Sequence, residues 1–137
     1  MATLKLEIVT PEGRAYAGDV DMVVLPASEG EMGVYPGHVP LMTQLLPGEL
    51  RISKEGKTED LVVGAGFVEI TGERVSVLTD MALGEDKIDE ASAEDAVRRA
   101  EAALKDKNLS SDEATELEAA LARSMAQIRF KRRHQRR

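Results

Sequence analysis

Apolar and polar positions alternate through the first part of the chain. Leu4, Leu6 and Ile8 are separated by Lys5 and Glu7, the period of a strand with one buried face. Val20, Met22 and Val24 repeat that period within residues 19–26, and Leu50 and Ile52 begin a further strand that Lys54-Glu55-Gly56-Lys57 turns. Residues 60–63 and 67–70 flank Gly64-Ala65-Gly66, which predicts a bulge or a close approach of backbones. Thr10-Pro11-Glu12-Gly13 and Thr71-Gly72-Glu73 are turns by composition, the second leading into a strand at 75–78. Short strands punctuated by turns over residues 3–83 predict a sandwich or flattened barrel.

Near Gly84 the period changes. Glu85-Asp86-Lys87 is a charged linker, and Ala93, Ala96, Val97, Ala100, Ala103 and Leu104 follow helical spacing. Asn108-Leu109-Ser110 interrupts it. Ser110 and Glu113 form a capping-box pattern, and Ala114, Leu117, Leu121, Met125 and Ile128 make a second stripe. The pattern predicts two helices of roughly 18 and 20 residues, about 27 and 30 Å long, in an antiparallel hairpin. The chain thus reads as mainly β within an α+β class, with a sandwich over 1–84 and a helical hairpin over 85–137. The first helix offers mostly alanine. Burying a methyl gains far less than burying a leucine side chain, at about 0.8 kcal/mol per carbon, so the hairpin is expected to close weakly, as a population switch requires.

Within the sandwich region lies MGVYPGHVPLMTQLLPG, residues 32–48, the longest stretch without Asp, Glu, Lys or Arg. Pro36, Pro40 and Pro47 exclude a continuous helix. The stretch reads as an apolar connection that presses Val34, Tyr35, Val39, Leu41, Met42, Leu45 and Leu46 either into the core or against a partner.

Charge sharpens the picture. The net charge is −7, but residues 123–137 hold seven cations and no acid, which leaves 11 cations against 25 acids in the rest, a balance of −14. A basic tail on an acidic body either folds back or is offered to an acidic partner. A solvated, disordered terminus is the plain alternative. Arginine outnumbers lysine in the tail, which suits bidentate carboxylate or phosphate contacts. The chain has no cysteine, which excludes disulfides and thiolate metal sites. Lys5 and Glu7 break any signal-peptide core at the N-terminus.

Candidate chemistry is sparse. His38 lies beside Pro36-Gly37 with no second histidine or cysteine nearby in sequence to complete a metal set. It reads as a structural hydrogen-bonder, and a hydrolase centred on it is the weakest reading. Phosphate-cradling glycine loops do not occur. No catalytic residue and no resident metal is expected.

Residues 29–41, EGEMGVYPGHVPL, resemble the GE-x-G-x-x-PGH-x-P-L signature of the epsilon-subunit family of bacterial rotary F-type ATP synthases (delta in mitochondria). The likeness continues through Pro47-Gly48, through Gly64-Ala65-Gly66-Phe67-Val68-Glu69, where the family often has a second glycine in place of Ala65, and through Asp80-Met81-Ala82, Ile88-Asp89 and the hairpin. It covers nearly the whole chain.

The resemblance implies a ten-stranded β-sandwich followed by a two-helix domain, in a non-catalytic subunit of a proton-transporting enzyme. It implies a seat in the central stalk against the gamma subunit and the c-ring, peripheral to the membrane on its cytoplasmic face, the inner membrane of a bacterium. Glu31, Met32, Val34, Tyr35, His38, Leu41 and Met42 match the c-ring and gamma contact region. The hairpin of the family can extend into the alpha/beta head and hinder hydrolysis. Arg123, Arg129, Lys131, Arg132 and Arg133 match the inhibitory cations, with Arg136 and Arg137 as a surplus. Some relatives bind ATP through I-D-x-x-R-A and later arginines. Here Asp89 and Ala93 match, Ser92 replaces the arginine, and Arg99 and Arg123 remain, so weak or absent ATP binding is expected and no cofactor. The alternative from a different class is a β-barrel nucleic-acid binder with a basic arm, which the 3% aromatic content disfavours.

Overall fold

The computed structural model describes residues 2–135. Its strands are β1 (Leu4–Thr10), β2 (Gly13–Val20), β3 (Met22–Ala27), β4 (Gly30–Val34), β5 (Leu41–Leu45), β6 (Gly48–Lys54), β7 (Lys57–Val63), β8 (Gly66–Ile70), β9 (Arg74–Thr79) and β10 (Ala82–Leu83). A 3-10 turn, Glu85–Lys87, leads to helices α1 (Glu90–Leu104) and α2 (Ser111–Gln135).

The strands run β10-β7-β6-β3-β5-β8-β9-β1-β2, with β4 paired to β3 off this path. Every pairing is antiparallel except that of β1 with β9. The expected alternation holds in four strands: Leu4, Leu6 and Ile8 of β1, Leu50 and Ile52 of β6, Val68 and Ile70 of β8 and Val75 and Val77 of β9 fill one core. Over residues 19–26 it does not: the chain breaks at Asp21 between β2 and β3, so that Val20 is buried with Val23 and Leu25, while Met22 and Val24 are only half-buried. The curled sheet closes on these residues as a flattened barrel.

Two tight places explain the turn sequences. Glu55 (φ 53°) and Gly56 (φ 78°) join β6 to β7, and positive φ at both central residues suits a two-residue hairpin. The Glu55 amide donates to Asp21 at 2.9 Å, which holds a non-glycine residue in that conformation. At Gly64 and Gly66 the expected close approach is present. A Cβ at Gly66 would meet the Leu78 carbonyl oxygen at 1.8 Å, and one at Gly64 would meet Asp80 Oδ1 at 1.7 Å. Ala65 between them is exposed, so its methyl costs nothing there.

The structure departs from the expected pattern at several points. The run 32–48 is not one connection: it holds the end of β4, a loop at 35–40, all of β5 and the start of β6. Strand β2 lacks a β-branched run and gains its form from pairing along β1. The helices have 15 and 25 residues, because α2 continues through the basic segment to Gln135. Arg136 and Arg137 lie outside the described residues.

The helix starts follow local chemistry. Asp89 caps α1 by accepting from the Ser92 amide at 3.1 Å. The capping box before α2 is reciprocal: Glu113 N–H donates to Ser110 Oγ, and Ser110 N–H donates to Glu113 Oε1, each at 3.1 Å. Helix α2 packs on the sandwich through Ala126 and Phe130 against Val62, Met81 and Ile88. Met125, expected in the buried stripe, is 42% exposed. Among the described residues, no helix is long and apolar enough to cross a membrane.

Candidate functional site

The surface offers two apolar areas and one charged seam. The first area surrounds the proline-glycine-histidine loop. Tyr35-Pro36-Gly37-His38 is a turn: the His38 amide donates to the Tyr35 carbonyl at 3.3 Å and Gly37 has φ +86°. Proline and glycine at its two central positions are the pair a type II turn selects. The Gly37 amide donates to the Gly72 carbonyl at 2.8 Å, which ties the loop to the sandwich. His38 Nδ1 lies 2.6 Å from the Val39 carbonyl oxygen, so the ring serves the loop itself.

Both readings of residues 32–48 apply, to different residues. Val34 and Leu45 are fully buried and Met32 packs against the core, while Tyr35, Val39, Leu41, Met42 and Leu46 are exposed. Alternation along β4 and β5 sends Val34 and Leu45 inward. Glu31 is exposed and His38 half-buried.

The second area lies on the outer face of β8 and β9, where Phe67 and Leu78 stand directly opposite each other and are 61% and 58% exposed. Met42 of β5 lies diagonal to Phe67, since Gln44 is its direct partner, within reach of long side chains. Reading the sequence misses Phe67 and Leu78 as surface residues. The signal is nonetheless there: inward Val68 and Val77 force their neighbours outward.

The charged seam joins α2 to the sandwich. Arg123 donates to Asp80 at 2.9 Å. One turn on, Gln127 Nε2 reaches Met81 Sδ at 3.1 Å, and Lys131 donates to the Glu85 carbonyl at 3.2 Å. Four-residue steps put these three on one helix face. Arg133 pairs with Glu49 at 3.1 Å, and His134 Nε2 lies 3.0 Å from the same carboxylate. Arg132 instead holds the hairpin shut, pairing with Glu94 at 2.9 Å and Glu90 at 3.5 Å on α1. Arg129 is exposed beside Pro47 and Gly48. Of the cations in the tail, Arg123, Arg132 and Arg133 fold back onto the chain's own acids, Lys131 meets a backbone carbonyl and Arg129 stays exposed.

Two of the nucleotide-motif residues are engaged in other contacts. Asp89 caps α1, and hydrogen bonds from Ser92 hold its carboxyl below the usual range. Arg123 serves Asp80, and Arg99 is exposed on α1. No hydrogen bond or ion pair among the described residues joins the three.

A β body with exposed apolar faces, carrying a helical arm fastened by charge, has the form of a binding module rather than of an enzyme's cleft. Comparison with known proteins gives its family. The β-sandwich domain of the ATP synthase delta/epsilon chain matches residues 3–85, and the long α-helix domain of the same chain matches residues 86–131. An ATP synthase epsilon chain of Halorhodospira halophila is 44% identical over 131 residues, covering 94% of this chain and 92% of the relative. One of Dehalococcoides mccartyi is 45% identical over 129 residues, with coverage of 94% and 92%. A chain in the Euglena gracilis mitochondrial ATP synthase (OSCP/F1/c-ring, rotational state 1) superposes with a TM-score of 0.72 at 26% identity, covering 92% of this chain and 79% of that one. The chain therefore belongs to the ATP synthase delta/epsilon family, as a non-catalytic subunit of that complex.

Proposed function

We propose that this subunit sits in the central stalk of a proton-translocating F-type ATP synthase, on the cytoplasmic face of a bacterial inner membrane. The outer apolar face of Phe67, Leu78 and Met42 seats the gamma subunit. The exposed loop around Glu31, Tyr35 and Leu41 meets the c-ring, where Glu31 takes a basic partner, and His38 lies toward gamma. Rotation is then coupled through the rigid sandwich.

The arm regulates hydrolysis. With the arm folded down, Arg123, Lys131 and Arg133 are satisfied by the chain's own groups at Asp80, Glu85 and Glu49. That seam carries the reading, because its contacts are exchangeable. An acidic segment of the beta subunit offers the same cations equivalent partners, and Arg129 stands exposed at the surface for the same use. Extension into the alpha/beta head therefore exchanges these polar contacts for equivalent ones on that segment, while the apolar contact of Ala126 and Phe130 with Val62 and Met81 is given up. ATP binds the folded arm weakly or not at all, since Ser92 stands where an arginine is needed.

The test is deletion of residues 91–137 in the assembled complex. Assembly with gamma and the c-ring is retained and ATP hydrolysis rises. Unchanged hydrolysis with intact assembly rejects regulation by the arm, and failure to copurify with gamma and c subunits rejects the stalk position.

A further inference from the structure

Three ligand-type side chains converge where α2 crosses β6 and β7. His134 Nε2 lies 3.0 Å from Glu49 Oε1 and 3.7 Å from Asp60 Oδ2, and one ligand atom from each residue falls within 4.8 Å of the others. The three side chains are deeply set, at 10%, 15% and 9% exposure. They come from three separate elements, and His134 is far from the other two in the chain.

We infer that Glu49, Asp60 and His134 form a binding site for a divalent transition-metal ion, Zn2+ by its chemistry, that clamps α2 to the sandwich. The spacing supports this. Four ligands at about 2.0–2.2 Å in a tetrahedron stand about 3.3–3.6 Å apart; the two separations from His134 Nε2, 3.0 and 3.7 Å, bracket that value, and the two carboxylate atoms lie within 4.8 Å of each other. Water takes the fourth position.

The outer contacts are of the kind that steady metal ligands. Arg133 holds Glu49 through Oε2 at 3.1 Å, and Arg51 holds Asp60 through Oδ1 at 3.1 Å. On each carboxylate the other oxygen faces the imidazole, so each ligates through a single atom. Phe130 packs at a tilt against the His134 ring with centroids 4.2 Å apart, which restrains the imidazole. The donor set selects among ions. Imidazole with two single-oxygen carboxylates suits zinc and its neighbours, whereas magnesium and calcium require more oxygen ligands than this corner supplies. Arg51 and Arg133 offset part of the carboxylate charge, so the site is weaker than a buried structural zinc site.

The full chain, stripped with chelator, is titrated with Zn2+ against a chromophoric zinc indicator, and α2 amides are followed by hydrogen exchange. One Zn2+ binds per chain. His134→Ala and Glu49→Gln each weaken binding by about tenfold or more, and His38→Ala, at the other histidine, leaves it unchanged. Zn2+ slows exchange over 126–135 in the parent and not in the variants, while Mg2+ has no such effect. Glu49→Gln preserves side-chain size, so it carries the test if His134→Ala loosens the helix. No stoichiometric binding, binding that survives both ligand substitutions, or loss through His38→Ala overturns the assignment.

Discussion

Arg123 and Asp80 meet at 2.9 Å although 43 residues separate them. The contact joins the middle of α2 to the turn between β9 and β10, and it depends on a third residue. The Asp80 carboxylate lies over Gly64 in the place where a Cβ would stand, 1.7 Å from Oδ1. A missing side chain in the sandwich thus sets the position of an ion pair on the arm.

Gly64→Ala is expected to displace Asp80 and unfasten α2. Overpacking of this kind costs about 1–3 kcal/mol. Hydrogen exchange should accelerate along α2 more than in β1 or β9, which remain paired. Equal acceleration everywhere would mean that the substitution weakens the sandwich as a whole.

Phe67→Asp should leave the fold intact, because the side chain points outward and its neighbours Val68 and Ile70 carry the core. Denaturant unfolding should change by less than about 0.5 kcal/mol, as for other surface substitutions. Binding to gamma should fall sharply in a pull-down with the purified subunit. Unaltered capture of gamma would remove this face from the interface.

How far the sequence discloses this differs between the two parts of the chain. Leu4, Leu6 and Ile8 declare their strand because inward and outward positions alternate without interruption. Strand β2 escapes notice because Gly13-Arg14-Ala15-Tyr16 has no such contrast, and only its partner defines it. The capping box at Ser110 and Glu113 is visible because both partners lie within one turn. The corner of Glu49, Asp60 and His134 is invisible for the opposite reason: its members share no local spacing, and the fold alone unites them. Phe67 and Leu78 are readable as outward residues, but not as opposite each other, since register between strands is a tertiary property.

Acid should loosen the hairpin at its helix starts. Hydrogen bonds from Ser92 and Ser110 hold the Asp89 and Glu113 carboxyls below their usual range. Groups with depressed values contribute stability above the unfolded range and lose it as the pH falls through the folded values. Helix content should therefore decline below about pH 4, as followed by far-ultraviolet circular dichroism. Asp89→Asn keeps a capping side chain that does not titrate, so paired with Glu113→Gln it should flatten that decline. An unchanged slope in the double variant would assign acid sensitivity to other carboxylates.

Calorimetry of the full chain with ATP should show no saturation in the micromolar range. Ser92→Arg supplies the missing charge-assisted contact, worth about 1.5–3 kcal/mol, and should tighten binding by at least about tenfold. Micromolar affinity in the parent chain would contradict the assignment of the Asp89 carboxylate to capping α1 alone.

The parallel pairing of β1 with β9 also governs how the chain comes into being. One edge of β1 is satisfied early by its neighbour β2, but the other must wait for residues 74–79 to leave the ribosome. Until then the nascent sandwich has an unzipped seam, and non-local closure of this kind is slow. The arm is made last and lands on a body that has only just been sealed. A ribosome stalled before β9 would therefore carry an open-edged, adhesive intermediate, for which chaperones compete.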